Sequence, residues 1–341
     1  MKPISFVIIT YNRPDDALEL AGNLIRLDGF QELVEELIIV NNRSTISYQP
    51  LEDFIAAHPA LPFRYVVAPE NLGVSRGRNY AIGLSRAPIL IFLDDDAIIR
   101  NTDALRHILP IFEGREPGGV QAPRGAFTPG SFAVADAGGC AVPEPGGLIE
   151  DMPGTRPVGI AAFKVYYAST LELQENAFPH KRFAERKGWP HFDTAYFSGC
   201  AHAIRREVLD KVGVYPENFF YGMEEYDLSY RVVNAGYSIR YDERVEILHK
   251  ESPEGRLPPR EKLRGMWVNK STVAWKYLPL PYFFSTAFLW SLEYLKKSGW
   301  HVPGFFKGWW QVVRIPGQER RKPVGGDSRT YLRQVKARLS Y

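Results

Sequence analysis

The spacing of apolar positions changes repeatedly along the first hundred residues. Short continuous apolar runs, such as 5–10 and 36–42, are typical of strands buried on both faces. Between them, apolar positions three or four residues apart indicate helices. The pattern predicts strands at 5–10, 36–42, 63–68 and 88–93 and helices at 14–27, 51–58 and 73–86. This alternation favours a parallel sheet covered by helices on both faces.

The pattern is less regular in the second half of the chain. Residues Gly114–Pro157 are rich in glycine and proline, which indicates loops or an irregular β layer. The segment 195–213 returns to a strand followed by a helix. A further helix is predicted at 222–237, with Gly236 as its C-cap. The segment 238–252 predicts two short strands that end at His249.

The last 89 residues, 253–341, mix aromatic with basic residues. Sixteen uncharged residues separate Lys276 from Glu293, and Pro279 and Pro281 interrupt them, whereas a membrane-spanning helix needs about 20. We therefore expect helices that lie on a bilayer surface or pack on the rest of the protein. The aromatic and basic residues that suit a headgroup boundary are Trp300, Phe305, Phe306, Trp309, Trp310, Lys296, Lys297, Lys307 and Arg314.

Composition and charge narrow the class of protein. The chain is 45% hydrophobic and 24% charged, which is typical of a globular protein. Two cysteines, Cys140 and Cys200, cannot form a disulfide framework, so a reducing cytoplasm is expected. The net charge of +3 divides into −9 over residues 1–252 and +12 over 253–341. The basic region suggests an anionic partner such as a membrane surface or nucleic acid.

Polar residues follow several of the predicted strands at the point where each strand ends. Three aspartates, Asp94–Asp96, follow the strand at 88–93, while Tyr11–Asn12 and Asn41–Asn42 follow the first two strands. Ligands of open α/β sheets bind in the crevice beyond the carboxyl ends of the strands. We therefore expect these side chains to converge on one crevice.

Three adjacent carboxylates repel one another unless a cation lies between them. Divalent cations prefer carboxylate oxygen, so Asp94–Asp96 predict a metal site. A turn or helix N-cap is the alternative, because aspartate is favoured in both. A single histidine such as His249 is more often a surface or core residue, but near these aspartates its imidazole could complete the metal site.

Two further segments carry weaker signals. On a helix, Glu224 and Asp227 share a face and Glu225 points elsewhere, although acids in a first turn also simply complement the helix dipole. The segment 71–82 places glycines, Arg76 and Arg78 near a helix start, where backbone N–H groups and guanidinium groups can hold phosphate. It lacks the complete P-loop pattern.

Taken in order, these segments resemble the family 2 glycosyltransferases with the GT-A fold, including rhamnosyl- and galactofuranosyltransferase-like members. The matching segments are FVIITYNRP, LIIVNNRST, NLGVSRGRNYAI, FLDDDA, the segment 197–241 that contains GMEEYDL, and His249. The resemblance implies an α/β protein with a mostly parallel nucleotide-binding sheet flanked by helices and a C-terminal helical extension. It implies a catalytic domain over 1–252, with a nucleotide-sugar half at about 1–113 and an acceptor half at about 114–252. Residues 253–341 would form the basic, aromatic-rich helical region.

The resemblance also implies an activity, namely metal-dependent, inverting transfer of a sugar from a nucleoside diphosphate to a hydroxyl group. Glu225 would be the general base, and Asp96 and His249 would hold Mn²⁺ or Mg²⁺. The nucleotide-sugar residues would be Thr10, Tyr11, Asn12, Arg13, Asn41, Asn71, Arg76, Arg78, Asp94 and Asp95. The acceptor-side residues would be Gly199, Glu224 and Asp227. Two positions depart from the usual family pattern, because Asn41 replaces an aspartate and Glu225 replaces the second acid of a Glu-Asp pair.

Two alternatives remain open from the sequence, a nucleotidyltransferase and a non-catalytic membrane- or glycan-binding module. The expected partners are a nucleoside-diphosphate sugar, a glycan or polyprenyl-linked acceptor, and an anionic membrane surface contacted by residues 253–341. Packing of that region on the body or in a homodimer is the alternative, and nucleic acid is not expected because no recognised motif accompanies the charge. The expected location is the cytoplasm, at the inner face of the cytoplasmic membrane.

Overall fold

A computed structural model describes residues 1–113, 156–254 and 257–337. The first elements are β1 (Ile4–Thr10), α1 (Pro14–Leu24), α2 (Phe30–Leu33), β2 (Val34–Asn41), α3 (Gln49–Ala56), β3 (Phe63–Val67), α4 (Gly73–Leu84) and β4 (Ile89–Asp94). These elements confirm the four strands and three helices predicted in this part of the chain.

The middle of the chain continues with shorter elements. They are β5 (Ala97–Ile99), α5 (Ala104–Glu113), β6 (Val158–Tyr167), a 3₁₀ turn (Glu175–Ala177), α6 (Phe183–Arg186), β7 (His191–Thr194), β8 (Ala201–Arg205), α7 (Arg206–Val212), α8 (Glu224–Asn234) and β9 (Ser238–His249). The chain then forms α9 (Pro259–Tyr277), α10 (Leu280–Ser298), α11 (Val302–Gln318) and α12 (Gly326–Gln334). The predicted irregular region lies outside the described residues except for its last two positions, and so does Cys140.

One nine-stranded sheet runs through the described residues in the order β3-β2-β1-β4-β8-β6-β9-β5, and β7 pairs with β9. The first four strands are parallel, as predicted. The remaining pairs are antiparallel except for β6 and β9, so the second half of the sheet is mixed. In the sheet, β2 lies on one side of β1, whereas β4 lies on the other side of β1. This change of direction opens a crevice beyond the carboxyl ends of β1 and β4.

The strand β9 differs from the sequence prediction of two short strands. It is one strand, but its pairing with β6 skips residues 243–245, since Phe163 faces Asp242 and Lys164 faces Glu246. Such an interruption bends a strand without ending it. The last part of β9 therefore reaches β5, where Ala97 pairs with His249. This register brings His249 beside the end of β4.

Two hydrophobic clusters cover the two faces of the sheet. One contains the buried side chains of α1, α3 and α5. The other contains those of α4, α7 and α8 together with residues from all four C-terminal helices. The helix α8 ends in a Schellman motif, in which Gly236 has φ +91° and the amides of Gly236 and Tyr237 donate to Val233 and Val232. Gly236 therefore ends this helix as predicted.

The C-terminal helices pack on the body around Trp267, which is fully buried. A Cβ atom at Gly308 would collide with the Trp267 ring, so the glycine allows α11 to approach α9 closely. Phe305 and Trp309 pack against the same ring. Both side chains are partly buried by this contact, so packing on the body accounts for part of their surface, and their role at a headgroup boundary stays a prediction. Among the described residues, no helix is long and apolar enough to cross a membrane.

Candidate functional site

A crevice of about 620 Å³ lies where the sheet changes direction. This volume is typical of a small-ligand site. Its floor comes from β1 and β4, and the ends of these strands and the turns after them supply Tyr11, Asn12, Arg13 and Asp94–Asp96. The polar residues that line it are Tyr11, Asn12, Arg13, Asn42, Asn71, Arg78, Asp94, Asp95, Asp96, Asn176, Tyr221, His249, Glu251 and Lys262.

The three aspartates that end β4, here named the aspartate row (Asp94–Asp96), have different partners. Asp94 is the most exposed and lies 3.2 Å from the guanidinium of Arg78. Asp95 is buried, and its Oδ1 accepts a hydrogen bond from Arg13 at 2.9 Å. Asp96 is buried and accepts a hydrogen bond from the Ser252 amide at 2.9 Å. Two arginines thus offset part of the negative charge of the row.

The pairing of β5 with β9 places His249 next to Asp96. The His249 Nε2 lies 3.4 Å from Asp96 Oδ1. This oxygen is buried and has no hydrogen-bond partner among residues 1–113, 156–254 and 257–337. Single ligand atoms of Asp94, Asp96 and His249 lie within 4.8 Å of one another. A buried carboxylate oxygen without a donor, next to a second carboxylate and an imidazole, fits a divalent cation.

A hydrogen-bond chain sets which nitrogen of His249 faces Asp96. Glu251 Oε1 accepts from the amide nitrogen of Gln174 at 3.0 Å, since a carboxylate can only accept. The amide oxygen of Gln174 therefore faces His249 Nδ1, 3.0 Å away, and Nδ1–H donates to it. Nε2 is therefore the nitrogen that faces Asp96, and it can bind a cation once it is unprotonated. Burial alone would lower the pKa of His249, but the charge of Asp96 outweighs it and raises that pKa.

Arg13 ties the loop after β9 to the aspartate row. Its Nη1 lies 2.9 Å from Asp95 and 3.2 Å from Asp96, while its Nε and Nη2 donate to the carbonyl groups of Glu254 and Ser252. Burial nevertheless raises the pKa of Asp95 to about 7, against the opposing charge of Arg13. Arg13 thus fixes the backbone that closes one side of the crevice.

Arg78 connects the aspartate row to a second acidic group, here named the α8 acids (Glu224, Glu225 and Asp227). Its guanidinium is buried and lies 3.1 Å from Glu225, 3.7 Å from Glu224 and 3.2 Å from Asp94. It also donates to the carbonyl of Gly199 at 2.8 Å. Five N–H donors in a planar fork allow one arginine to hold several acceptors in fixed positions.

Glu224 and Glu225 are adjacent in sequence but differ in environment. Glu224 has a 3% exposed side chain, and its Oε2 has no hydrogen-bond partner in the described part of the chain. Burial and the charge of Glu225 raise the pKa of Glu224. Glu225 is more exposed, at 14%, and its Oε1 accepts from Arg78. Glu225 is therefore the better placed of the two to exchange a proton with a ligand.

Gly199 leaves room for this arrangement. A Cβ atom at this position would collide with Glu225 Oε1 and lie 3.3 Å from Arg78 Nη2. None of the α8 acids is among the residues that line the crevice, and Glu225 is joined to it through Arg78. Asp227, the third of these acids, lies on the side of α9. It is buried and binds Arg231 at 2.8 Å and the Tyr277 hydroxyl at 2.9 Å, and it also pairs with Lys276. It joins α8 to α9.

Most of the residues proposed to bind the nucleotide sugar line the crevice. They are Tyr11, Asn12, Arg13, Asn71, Arg78, Asp94 and Asp95. Asn12 adopts a left-handed conformation with φ 56°, which asparagine tolerates well, and its side chain accepts from the Thr45 amide. This turn aims the loop after β1 at the crevice.

Three residues from the same proposal lie elsewhere. Thr10 is buried and hydrogen-bonds the Tyr48 hydroxyl at 2.6 Å. Asn41 uses both ends of its amide within the protein, since it donates to Tyr65 and accepts from the Ser44 amide. Arg76 pairs with Glu70 on the surface. Their predicted roles stay predictions, but the crevice is lined by neighbours of these residues.

Sequence reasoning missed several residues of the site. Gln174 follows a turn after β6, and no motif distinguishes it. Phe220 and Tyr221 form an exposed aromatic wall of the crevice, and Lys262, in the first turn of α9, lies 5.0 Å from the Tyr221 ring. The three adjacent aromatics before GMEE, Phe219–Tyr221, are the signal that could have pointed to this wall.

More than half of the chain carries a family signature. Residues 5–213 match the family described as Glycosyl transferase family 2. An uncharacterized protein of Haemophilus influenzae is 25% identical over 217 residues, which cover 62% of this chain and 92% of that protein.

Solved structures share the fold at low sequence identity. The mannosyltransferase PcManGT of Pyrobaculum calidifontis, in complex with GDP-Man and Mn²⁺, has a TM-score of 0.52 and 16% identity, over 98% of this chain and 79% of that one. TarS 1-349 of S. aureus with UDP-GlcNAc has a TM-score of 0.54 and 14% identity, over 92% and 81%. GalNAc-T7 with UDP, GalNAc and Mn²⁺ has a TM-score of 0.56 and 13% identity, over 83% and 50%.

The family match and the shared fold set aside the nucleotidyltransferase and the non-catalytic module. The match covers more than half of the chain and contains β1, β4, the aspartate row and Arg78. The chain belongs to glycosyl transferase family 2 and is a glycosyltransferase with the GT-A fold.

Proposed function

We propose that the protein transfers a sugar from a nucleoside diphosphate to a hydroxyl group of a glycan or polyprenyl-linked glycan, with inversion and with a divalent cation. The observation that carries this proposal is the arrangement around Arg78, whose guanidinium lies 3.2 Å from Asp94 and 3.1 Å from Glu225. One carboxylate belongs to the candidate cation site and the other is the candidate base. The donor and the acceptor would meet between them.

Asp94, Asp96 and His249 would hold Mn²⁺ or Mg²⁺, as the unpartnered Asp96 oxygen suggests. A bound cation would stabilise the charge that develops on the leaving diphosphate. Asn71, whose Oδ1 accepts a hydrogen bond from Asn42 at 3.2 Å, would hold the nucleotide portion with its exposed amide. Arg78 would act mainly as a positioning residue, because its donors already bind Asp94, Glu225 and Gly199.

Glu225 would accept the proton of the acceptor hydroxyl as its oxygen attacks the anomeric carbon. A single displacement of this kind inverts the configuration at that carbon. Glu224 is a poor candidate for the same role, since its raised pKa favours the protonated form. The exposed aromatic wall of Phe220 and Tyr221, which lines the crevice, would provide apolar contact for the acceptor.

We also propose that the protein is cytoplasmic and binds the inner face of the cytoplasmic membrane through residues 253–341. Their net charge of +12 supports an anionic partner. Aromatic side chains at the headgroup region and basic side chains facing lipid phosphate would act together.

A donor panel tests the transfer itself. The purified full chain is incubated with Mn²⁺ and a range of uridine, guanosine and thymidine diphosphate sugars, and nucleoside diphosphate release is measured with and without an added acceptor. We expect release with at least one donor, abolished by chelation and restored by added Mn²⁺. Release that persists at full rate in excess chelator would contradict the metal requirement. Silence with every donor, together with no donor binding in calorimetry, would contradict the proposed donor class.

A further inference from the structure

We infer that the outer face of the α10–α11 hairpin is a docking surface for an anionic lipid bilayer. Its exposed apolar side chains, here named the hairpin face, are Leu280, Phe284, Phe288, Leu289, Leu292, Trp300, Val302, Phe306, Trp310 and Val313. These are ten of the sixteen large apolar side chains that are exposed in the described part of the chain. Apolar exposure of this extent, concentrated in one place, marks an interaction site.

Each helix of the hairpin has two different sides. Leu280, Phe284, Phe288 and Leu292 recur every four residues along α10 and therefore lie along one side of it. The opposite side of α10 is buried against the core, for example at Tyr294.

The same division holds in α11. Val302, Phe306 and Trp310 form the outward line, while Gly304 and Gly308 face inward. The Phe306 side chain is 66% exposed, whereas its neighbour Phe305 packs against Trp267. The inner faces thus account for the fold, and the outer faces are left for a partner.

The basic side chains beside the hairpin face favour an anionic partner. Lys307 and Arg314 are exposed, lie seven residues apart on the same side of α11, and flank the outward line. The Arg314 guanidinium lies 4.3 Å from the Trp310 ring. Lys296 and Lys297 end α10, and the only acid of α10 and α11 is Glu293, which pairs with Lys297. Lysine is depleted in protein–protein interfaces, whereas basic residues beside aromatics suit anionic headgroups.

The position of the hairpin relative to the crevice has a consequence for the acceptor. Trp275 of α9 contacts Phe283, and Trp267 contacts Tyr294, so α9 and α10 are antiparallel. The corner that follows Tyr294 therefore lies at the end of α9 that carries Lys262 and borders the crevice. A bilayer on the hairpin face would lie on the side from which a lipid-linked acceptor arrives. The hairpin face specifies the membrane binding proposed above for residues 253–341, and this last step also rests on the proposed transfer.

Vesicle co-sedimentation of the full chain tests the surface, without any turnover. Vesicles of phosphatidylcholine alone are compared with vesicles that also contain phosphatidylglycerol, at low and high salt. We expect binding that requires the anionic lipid and weakens with salt. The double variant Phe306→Ser/Trp310→Ser should weaken partition by about tenfold or more, because it removes apolar surface. The matched control Val67→Ser/Leu171→Ser removes exposed apolar side chains elsewhere and should bind like the wild type.

A charge variant keeps the test valid if the apolar variant folds poorly. Lys307→Ala and Arg314→Ala should each weaken partition by about fivefold, as expected for one basic residue near an anionic surface. Arg106→Ala, an exposed cation on α5, is the control and should have no effect. Equal binding of the wild type and all three hairpin variants would overturn the inference, and so would the absence of binding at low salt. A dimer in sedimentation velocity that Phe306→Ser/Trp310→Ser dissociates would assign the face to a second copy instead. Donor release is measured separately, so a failure of docking is distinguishable from a failure of the proposed transfer.

Discussion

The aspartate row and the α8 acids are two similar acidic segments with different ways of being neutralised. Each places three carboxylates within four residues, and each contacts Arg78. Among the α8 acids, Asp227 is fully paired by Arg231, Lys276 and Tyr277. In the aspartate row, Asp96 keeps a buried oxygen with no donor in the described residues. Glu224 of the α8 acids also keeps such an oxygen, but burial and the charge of Glu225 raise the pKa of Glu224 and favour its neutral form. In contrast, His249 and Arg13 lower the pKa of Asp96 despite its burial, so Asp96 stays charged.

This difference separates a structural acid from a functional one. A buried carboxylate surrounded by basic side chains contributes to the fold, and its loss leaves those cations without a partner. A buried carboxylate oxygen that lacks a donor is costly unless a ligand supplies the positive charge. The side chains around a buried carboxylate therefore determine whether it stabilises the fold or binds a ligand, even where residue type and spacing are similar.

Removal of the metal is the strongest test of the difference between the aspartate row and the α8 acids. We expect chelation to abolish donor turnover and Asp96→Asn to reduce it by about 10³-fold or more, since metal stabilisation of the leaving group is worth several kcal/mol. Calorimetry with Mn²⁺ should show weakened metal binding in the variant. Asp210→Asn, at an exposed position on α7, is the control and should behave like the wild type. Normal Mn²⁺ affinity in Asp96→Asn would remove the distinction between the two acidic groups.

Separate replacement of each of the two adjacent glutamates by glutamine tests the roles of the α8 acids. Glu225→Gln keeps the hydrogen bond from Arg78 and removes the base, so we expect a rate loss of about 10²–10⁴-fold with little change in donor affinity. Glu224→Gln is the matched control. Because the raised pKa of Glu224 already favours its protonated form, its neutral replacement should have a much smaller effect on rate. If Glu224→Gln loses turnover and Glu225→Gln retains it, the roles of the two residues are reversed.

Asp227 should affect stability rather than chemistry. Asp227→Asn leaves Arg231 and Lys276 without their carboxylate, and breaking such a buried pair should lower the free energy of unfolding by about 3 kcal/mol. Urea unfolding followed by circular dichroism measures this change. The exposed variant Asp210→Asn should differ from the wild type by less than about 0.5 kcal/mol. A stable Asp227→Asn protein with no donor turnover would show that this acid takes part in the reaction.

The sequence predicted the parts of this site that depend on local pattern. Continuous apolar runs located β1 and β4, and the polar residues after them located the crevice. The sequence could not reveal contacts that depend on register, such as His249 opposite Ala97 after the interruption in β9. Nor could it separate Phe305 from Phe306, because tertiary packing decides which side of α11 is buried.

The smallest expected effect concerns Gln174, which contacts the metal site only through His249. Its amide oxygen accepts from His249 Nδ1–H, and Glu251 fixes the orientation of that amide. Loss of such an outer partner typically weakens metal binding 10- to 100-fold, and we expect about tenfold for Gln174→Leu. The measurement is Mn²⁺ calorimetry, with thermal unfolding to verify that the variant is folded.

The conservative variant distinguishes orientation of the imidazole from simple packing. Gln174→Glu still offers an acceptor to Nδ1–H, so it should recover most of the Mn²⁺ affinity that Gln174→Leu loses, even though its charge repels Glu251. If both variants bind Mn²⁺ equally weakly, an acceptor at this position is not sufficient, because leucine and glutamate fill a similar volume and both lack the neutral amide that joins His249 to Glu251. If Gln174→Leu binds Mn²⁺ like the wild type, the tautomer of His249 is set without this residue. In either case the difference between the aspartate row and the α8 acids would have to rest on Asp94 and Asp96 alone.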